Sequence, residues 1–555
     1  MKKIIGIWLV IGGLLFAQTF QVGSHGVVVS ASKLASDVGV EIMQKGGNAV
    51  DAAIAVGFAL AVVYPPAGNI GGGGFMVVRT PDGDVTTFDF REKAPRKAHR
   101  DMYLDKNGKP IENLSLRGAL ASGVPGSVAG YACAHEKFST LDWRDLLMPA
   151  VELARAGYPV SYFIHTGLKY RQDRMSECDA TRNMFYPNGR VPEIGEILVL
   201  TDLANTLERI ANKGWREFYQ SKTAKEIARS IQAAGGIISE WDLKHYEAVE
   251  REPVHFTYRG YDIFSMAPPS SGGVCLGQIL KTVEHFPLSQ YGFQSALAMQ
   301  IVTEAERRAY ANRAHFLGDP DFYDVPVDYL ISEALAAELA AAIDLEKATP
   351  SQAVSHSLYP ESKETTHFSV LDKEGWAVSV TTTLNGSYGS GFVAGKTGIL
   401  MNNEMDDFSI KPGYPNMFGL IGAAANAIQP KKRMLSSMTP TIVTKSDSLM
   451  WILGTPGGGT IITSVAQVLM NLIDFDMTLV QAVDAPRFHH QWLPDVVSVE
   501  KYGFSPDVIR MLEQKGYCFE YQTAIGDVNA IAVDWENDRF IGVPDRRRQS
   551  AASAW

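Results

Sequence analysis

The sequence predicts a layered α/β fold, with helices packed against the outside of sheets. Three observations carry that expectation. Asn48 to about Val63 is apolar on nearly every side, so its helix belongs in the interior. Residues 140–350 are dominated by segments with the 3.6-residue period. After Thr365 the pattern changes to strand-like alternation. The chain has 555 residues, 46% hydrophobic and 20% charged, an ordinary globular composition for a length that normally holds several domains.

In chain order, Lys2-Lys3, the apolar run Ile4 to Phe16 and Ala17-Gln18 read as a secretory signal peptide over residues 1–17. Its apolar core is too short for a comfortable span of about 20 residues. No other stretch is long and apolar enough to cross a bilayer, so the expectation is a soluble body outside the cytoplasm. Val27 to Ala31 is a short strand. Ser32 is placed to cap the helix that follows, and Gly46-Gly47 ends it. Asn48 begins the apolar helix, and Pro65-Pro66 stops it. Val85 to Phe90 reads as a strand leading to Arg91. Helical periodicity marks Leu203 to Asn212, Ala224 to Ala234, Ser295 to Phe316 and Ile331 to Ile343, then Ile461 to Ile473 and Pro506 to Lys515.

Thr365 to Asp372 and Trp376 to Asn385 alternate in polarity around Lys373-Glu374-Gly375, a three-residue hairpin loop with glycine where a left-handed conformation is needed. That loop sets Phe368 against Val380, Val370 against Val378 and Thr365 against Thr383. One face is then apolar, and the other carries Thr365, His367, Ser369, Ser379, Thr381 and Thr383. A two-residue loop would slip the register and scramble both faces. A polar, turn-prone run precedes the hairpin: Thr349-Pro350-Ser351-Gln352, then Ser355-His356-Ser357, then Pro360 to Glu364. If the bond before Thr365 is cut, this threonine gains a free α-amine beside its hydroxyl, a nucleophile and base in one residue. The reference pKa of such an amine, roughly 7.7–8, suits it to accept the hydroxyl proton. The same residues also read as a plain strand with surface threonines.

Net charge is −10 and the pI about 5.7, with no basic patch suited to nucleic acid; Arg546-Arg547-Arg548 reads as part of a solvated tail. Cys133, Cys178, Cys275 and Cys518 are far apart and form no CxxC pair, so buried free thiols are expected. Ser390 to Thr397 nearly spells a P-loop, but it starts with serine, and Gly398 to Met401 reads as a strand where a helix is required, so nucleotide binding is rejected. Gly71 to Gly74 suits close backbone packing. His489-His490 lacks further metal ligands at suitable spacing and reads as structural, so no metal site is expected. Gly454 to Thr460 precedes an apolar helix; its glycines suit either a strand-to-helix turn or backbone N–H groups offered to an anion.

The stretch ETTHFSVLDKEGWAVSVTTTLNGSYGSGFVAGKTGILMNNEMDDFS resembles the small-subunit start of the γ-glutamyltransferases, or glutathione hydrolases. The similarity continues through FSIKPGYPNMFG, KKRMLSSMTPTIV, GTPGG and APRFHHQWLPD. Upstream it covers KGGNAVDAAIA, NIGGGGFMVV, DFREKAPRKAHRDMY, GVPGSVAG and APPSSGGV, so it runs from about Gly26 onward. It implies the four-layer αββα sandwich of N-terminal nucleophile hydrolases. It implies one composite domain cut between Glu364 and Thr365 into a large subunit (18–364) and a small one (365–555), the two forming a heterodimer. By resemblance Thr365 is the nucleophile, Thr383 positions it, and the Gly457 and Gly458 amides form the oxyanion hole. Arg91, Ser436 and Ser437 are assigned to the substrate α-carboxylate; Asn385, Glu404 and Asp407 to its α-amino group. Glu404 stands where relatives carry Gln or Glu. Pro412 to Gly419 matches a lid loop, with Phe418 where tyrosine is common. The resemblance further implies glutathione and other γ-glutamyl compounds as substrates, amino acids, dipeptides or water as acceptors, no cofactor, and a periplasmic or secreted location. The alternatives are a cephalosporin or glutaryl acylase of the same superfamily, which the amino-acid anchors and lid segment argue against, and a secreted, non-catalytic binding protein that keeps the fold.

Overall fold

The structure is a computed structural model and describes residues 20–354, 365–411 and 413–555. The signal segment, Glu364 with the turn-prone run from Ser355 onward, and Pro412 lie outside the described residues. Fourteen strands build two large sheets: β1 (Gln21–Gly23), β2 (Gly26–Ser30), β3 (Gly73–Arg79), β4 (Val85–Asp89), β5 (Val249–Arg251), β6 (Val254–Tyr258), β7 (Tyr261–Ser265), β8 (Thr366–Asp372), β9 (Ala377–Thr383), β10 (Thr441–Lys445), β11 (Ser448–Gly454), β12 (Asn529–Asp534), β13 (Arg539–Val543) and β14 (Ala551–Ala554). One sheet runs β14-β2-β8-β9-β3-β4-β5, the other β1-β13-β12-β11-β10-β7-β6. Every pairing within them is antiparallel.

The sheets lie face to face. On the outer face of the first, Phe368, Val370, Val378 and Val380 pack in one core with α1 (Lys33–Gln44) and α2 (Ala49–Val63). On the outer face of the second, Val254, Phe256, Val443 and Leu453 pack with α3 (Gly272–Glu284), α4 (Ala296–Phe316) and α5 (Thr460–Ile473). Val27, Val29, Val77, Leu371, Ile442, Ile452 and Ile531 fill the space between the sheets. The order is helix, sheet, sheet, helix: the αββα sandwich that the resemblance implies.

The hairpin register is the predicted one: Phe368 pairs with Val380, Val370 with Val378, Thr366 with Thr382, and Gly375 has φ +94°. Its hydroxyl-bearing face does not meet solvent, because the second sheet covers it. Ser369 Oγ donates to the Asn529 carbonyl (3.1 Å) and Ser379 Oγ to that of Leu453 (3.2 Å), so hydroxyls satisfy backbone carbonyls across the sandwich. His367 lies there too, fully buried between Thr381 (2.9 Å) and Ser369 (3.1 Å).

Helix α2 is buried over its whole length, as its composition demands. Asn48 closes a capping box: its side chain accepts from the Val50 and Asp51 amides, and Asp51 accepts from the Asn48 amide (3.0 Å). The other predicted helices appear within a few residues of their expected ends.

Several expectations are corrected. Ser32 stands at the start of α1 but makes no side-chain cap bond. The mainly helical region 140–350 also contains β5, β6 and β7, because Val254-His255-Phe256-Thr257-Tyr258 alternates and Arg259-Gly260 turns it into a hairpin. Gly398 to Met401 forms only a single bridge, Val393 with Leu400. Arg546-Arg547-Arg548 is no solvated tail: Arg547 makes a two-pronged pair with Glu500 and contacts Asp545, and β14 then joins the sheet edge beside β2. All four cysteines are free, yet only Cys275 is buried and Cys518 is exposed. Among the described residues, no helix is long and apolar enough to cross a membrane.

Gly72 shows how closely the sheet packs beside β9. A Cβ there would lie 2.0 Å from the Thr383 carbonyl oxygen. Gly72→Ala should destabilise the protein by about 1–3 kcal/mol or more, read as a fall in Tm, and displace Thr383. His367 gives a pH prediction. Burial holds its pKa down to about 3, so the folded ring is neutral. Its contribution is complete above the unfolded value of about 6.5 and is lost progressively as pH falls toward the folded value. Tm of His367→Gln should therefore drop less steeply than that of the wild type between about pH 6.5 and pH 4.

Candidate active site

The hairpin register brings two hydroxyls to one spot. Thr365 precedes the first residue of β8 and Thr383 ends β9; since Thr366 pairs with Thr382, the two threonines stand at the open end of the hairpin. Both line one cavity. With them are Arg91, Asn385, Glu404, Asp407, Phe418, Ser436, Ser437 and Gly458, so residues spread over more than 350 positions of sequence converge. Of the predicted set among the described residues, only Gly457, the neighbour of Gly458, is not in its wall; Glu364 lies outside the described residues.

Arg91 follows β4 by two residues and is fully buried. Its Nε donates to the Met434 carbonyl (3.2 Å) and one Nη to that of Leu435 (3.3 Å). The same fork pairs with Glu404 and with Asp407 (2.5 Å), and Glu92 lies 3.6 Å away. The predicted carboxylate anchor and two of the ammonium anchors therefore touch each other. Burial alone would lower the Arg91 pKa, but the Glu404, Asp407 and Glu92 carboxylates outweigh it and hold the guanidinium above its usual value. Burial pushes Glu92 up to about 7, with Arg91 opposing, and raises Glu404 and Asp407 as well.

Asn385 adopts φ +71°, a conformation asparagine tolerates better than most residues. Its amide N–H donates to Thr383 Oγ (2.8 Å), tying this residue to the hydroxyl. Its Nδ2 donates to the Asn403 carbonyl (3.0 Å), while its Oδ1 and the Glu404 Oε2 are buried acceptors without a hydrogen-bond partner among the described residues. Two such acceptors beside Asp407 suit an ammonium.

Ser436 and Ser437 lie on the segment that Arg91 grips through its carbonyls. Gly457 (φ +145°) and Gly458 (φ +56°) lead into α5, whose first two amides, of Thr460 and Ile461, donate back to the Gly457 (3.1 Å) and Gly458 (3.3 Å) carbonyls. A Cβ on Gly458 would strike the Phe418 ring at 2.4 Å. The loop before Phe418 is tied to the acidic turn: Asn416 Nδ2 donates to Asp407 (2.8 Å) and the Met417 amide to Asp406 (2.7 Å). Phe418 is buried over the cavity with its carbonyl accepting from Gln491 Nε2 (3.1 Å).

The sequence reading missed Arg313, which also lines the cavity from the last turn of α4. A signal existed: α4 carries Glu304, Glu306, Arg307, Arg308 and Arg313 on a helix buried nearly all round, and buried charges need a reason. His489 and His490 are buried and hydrogen-bonded, His489 to Thr463 and Gln491 (2.9 Å each) and His490 to Asp495 (3.3 Å). Among the described residues no group of three or more His, Cys, Asp or Glu is arranged to hold a metal ion.

The family model described as Gamma-glutamyltranspeptidase matches residues 35–555. The chain is 49% identical over 526 residues to the glutathione hydrolase proenzyme of Escherichia coli K12, covering 94% of this chain and 90% of that protein. It is 38% identical over 555 residues to the glutathione hydrolase proenzyme of Bacillus subtilis strain 168, covering 96% and 92%. Among solved structures, a cephalosporin acylase from Bacillus halodurans superposes with a TM-score of 0.86 at 27% identity over 97% of both chains. The gamma-glutamyltranspeptidase of Helicobacter pylori gives 0.58 at 44% identity, covering 58% of this chain and 93% of that one. On the match across nearly its whole length and on these relatives, the chain is an enzyme of the gamma-glutamyltranspeptidase family.

Proposed function

We propose that the chain cleaves its own Glu364–Thr365 bond and then uses Thr365 to split γ-glutamyl amides such as glutathione. The observation that carries this reading is the cavity in which Thr365 and Thr383 share one wall with the Arg91 cluster and the two unpartnered acceptors. A γ-glutamyl group presents one carboxylate and one ammonium. Arg91, Ser436 and Ser437 hold the former, and Asn385, Glu404 and Asp407 the latter. Two opposed anchors set the γ-carbonyl at the threonine hydroxyl, and such fixed geometry is worth several kcal/mol of barrier.

In maturation the Thr365 hydroxyl attacks the Glu364 carbonyl, and the peptide becomes an ester that water hydrolyses. The large chain then ends at Glu364, the small one begins at Thr365, and the two remain a heterodimer. In turnover the new α-amine accepts the hydroxyl proton as oxygen attacks the γ-carbonyl. The Gly457 and Gly458 amides stabilise the developing oxyanion, each typically by about 3 kcal/mol. The proton passes to the leaving nitrogen, and cysteinylglycine departs from glutathione. Water then releases glutamate, or an amino acid or dipeptide amine takes the γ-glutamyl group. Thr383, bonded to the Asn385 amide, positions the nucleophile. Phe418 covers the pocket with an apolar ring. The apolar N-terminal run over residues 1–17 supports export to the periplasm or beyond.

The amino-acid clamp also separates this function from an acylase, whose glutaryl substrates carry no ammonium. Thr365→Ala should leave one full-length band on a denaturing gel and no turnover. Two bands, or activity, from that variant would overturn the reading. The wild type should prefer γ-glutamyl over glutaryl p-nitroanilide, and Asp407→Ala should narrow that preference by raising KM for the γ-glutamyl compound about tenfold or more. A wild type active only on the glutaryl compound would make the chain an acylase.

A further inference from the structure

Arg313 is a second guanidinium in the cavity wall, and its surroundings differ from those of Arg91. Arg91 is shared among Glu92, Glu404 and Asp407. Arg313 is 5% exposed and makes no ion pair among the described residues. A buried cation without a direct ion-pair partner is costly, so the fold keeps it for a reason. Burial pulls its pKa below the usual arginine value, with Cys275, Tyr310 and Asp407 opposing. It remains an ion, since arginine is not deprotonated in proteins.

The hydrogen bonds say what it does. Arg313 Nε donates to Ser271 Oγ (2.9 Å), and one Nη donates to Ser437 Oγ (3.1 Å). Ser271 Oγ in turn donates to the Ser436 carbonyl (2.6 Å), and the Ser271 amide donates to that same carbonyl (2.8 Å). Ser436 Oγ accepts from the Met438 amide (3.1 Å). Each serine oxygen of the pair thus already accepts an N–H. A hydroxyl that is accepting still has its own hydrogen to give. Both serines are left as donors, and Ser437 is polarised by a full positive charge.

We propose that Arg313 is a positioning residue for the α-carboxylate subsite, holding Ser437 as a hydrogen-bond donor to that carboxylate and supplying the subsite's second positive charge. This rests on the carboxylate assignment made above for Arg91, Ser436 and Ser437. A bound carboxylate would give Arg313 the ion-pair partner it does not have among the described residues, so selectivity for a free α-carboxylate depends on Arg313 as well as on Arg91.

The test measures kcat/KM on γ-glutamyl p-nitroanilide and on its analogue with an α-carboxamide, for wild type, Arg313→Gln and Arg313→Lys, each checked for two-chain maturation. The wild type should favour the carboxylate. Arg313→Gln should lower kcat/KM on the carboxylate compound about tenfold or more, through KM, while the carboxamide value stays within about twofold. Arg313→Lys keeps the charge but not the fork, so it should retain part of the preference. An equal loss on both compounds would make Arg313 merely structural and overturn the inference. If Arg313→Gln does not mature, Arg313→Lys decides, and a preference equal to the wild type's overturns the inference. A wild type that does not discriminate would instead remove the carboxylate assignment on which the inference stands.

Discussion

The register of the central hairpin governs most of what the molecule can do. β8 and β9 lie inside the sheet, flanked by β2 and β3, and both of their faces are covered. A slip of one residue would turn Phe368, Val370, Val378 and Val380 toward the other sheet and drive the hydroxyls into the apolar layer under α2. Each misplaced hydroxyl would then be buried without a partner, at about 1–3 kcal/mol apiece. The register is thus enforced from two sides, and Thr365 and Thr383 meet at the hairpin's open end as a by-product of packing.

The second determinant is charge. Three carboxylates and two guanidinium groups sit in or beside one small cavity, nearly all removed from water. Such clusters rarely add stability compared with apolar side chains of similar volume. Their presence beside a hydroxyl pair fits the proposed γ-glutamyl substrate, which carries both signs. The loop that carries Asn416 and Phe418 belongs to the same network, because Asp407 binds Arg91 with one oxygen and Asn416 with the other.

Local features of the sequence were readable for local reasons. The Lys373-Glu374-Gly375 loop fixes the register around it, and the apolar run after Asn48 has nowhere to be but inside. The cluster around Arg91 was legible only through family resemblance, since nothing near Arg91 in sequence announces Glu404 or Ser437. Arg313 escaped because it is one charge in a helical period and its partners are brought in from the residue just before α3 and from the segment before β10. The β6–β7 hairpin was masked by the helices around it. Arg547 read as tail because Glu500 and Asp545, its partners in space, carry no mark of that role in the sequence.

The strand order has a topological consequence for a chain cut before Thr365. In the first sheet β14, β8 and β9 come from the downstream part, while β2, β3, β4 and β5 come from the upstream part; in the second, β13, β12, β11 and β10 lie between upstream β1 and upstream β7 and β6. The two pieces interleave within continuous backbone ladders in both layers. Thr365 stands just outside its ladder, so a new chain end there breaks no strand pairing. The nick would change covalent connectivity and leave the folding unit whole. The pieces could part only by unzipping both sheets, so their association is as durable as the fold itself.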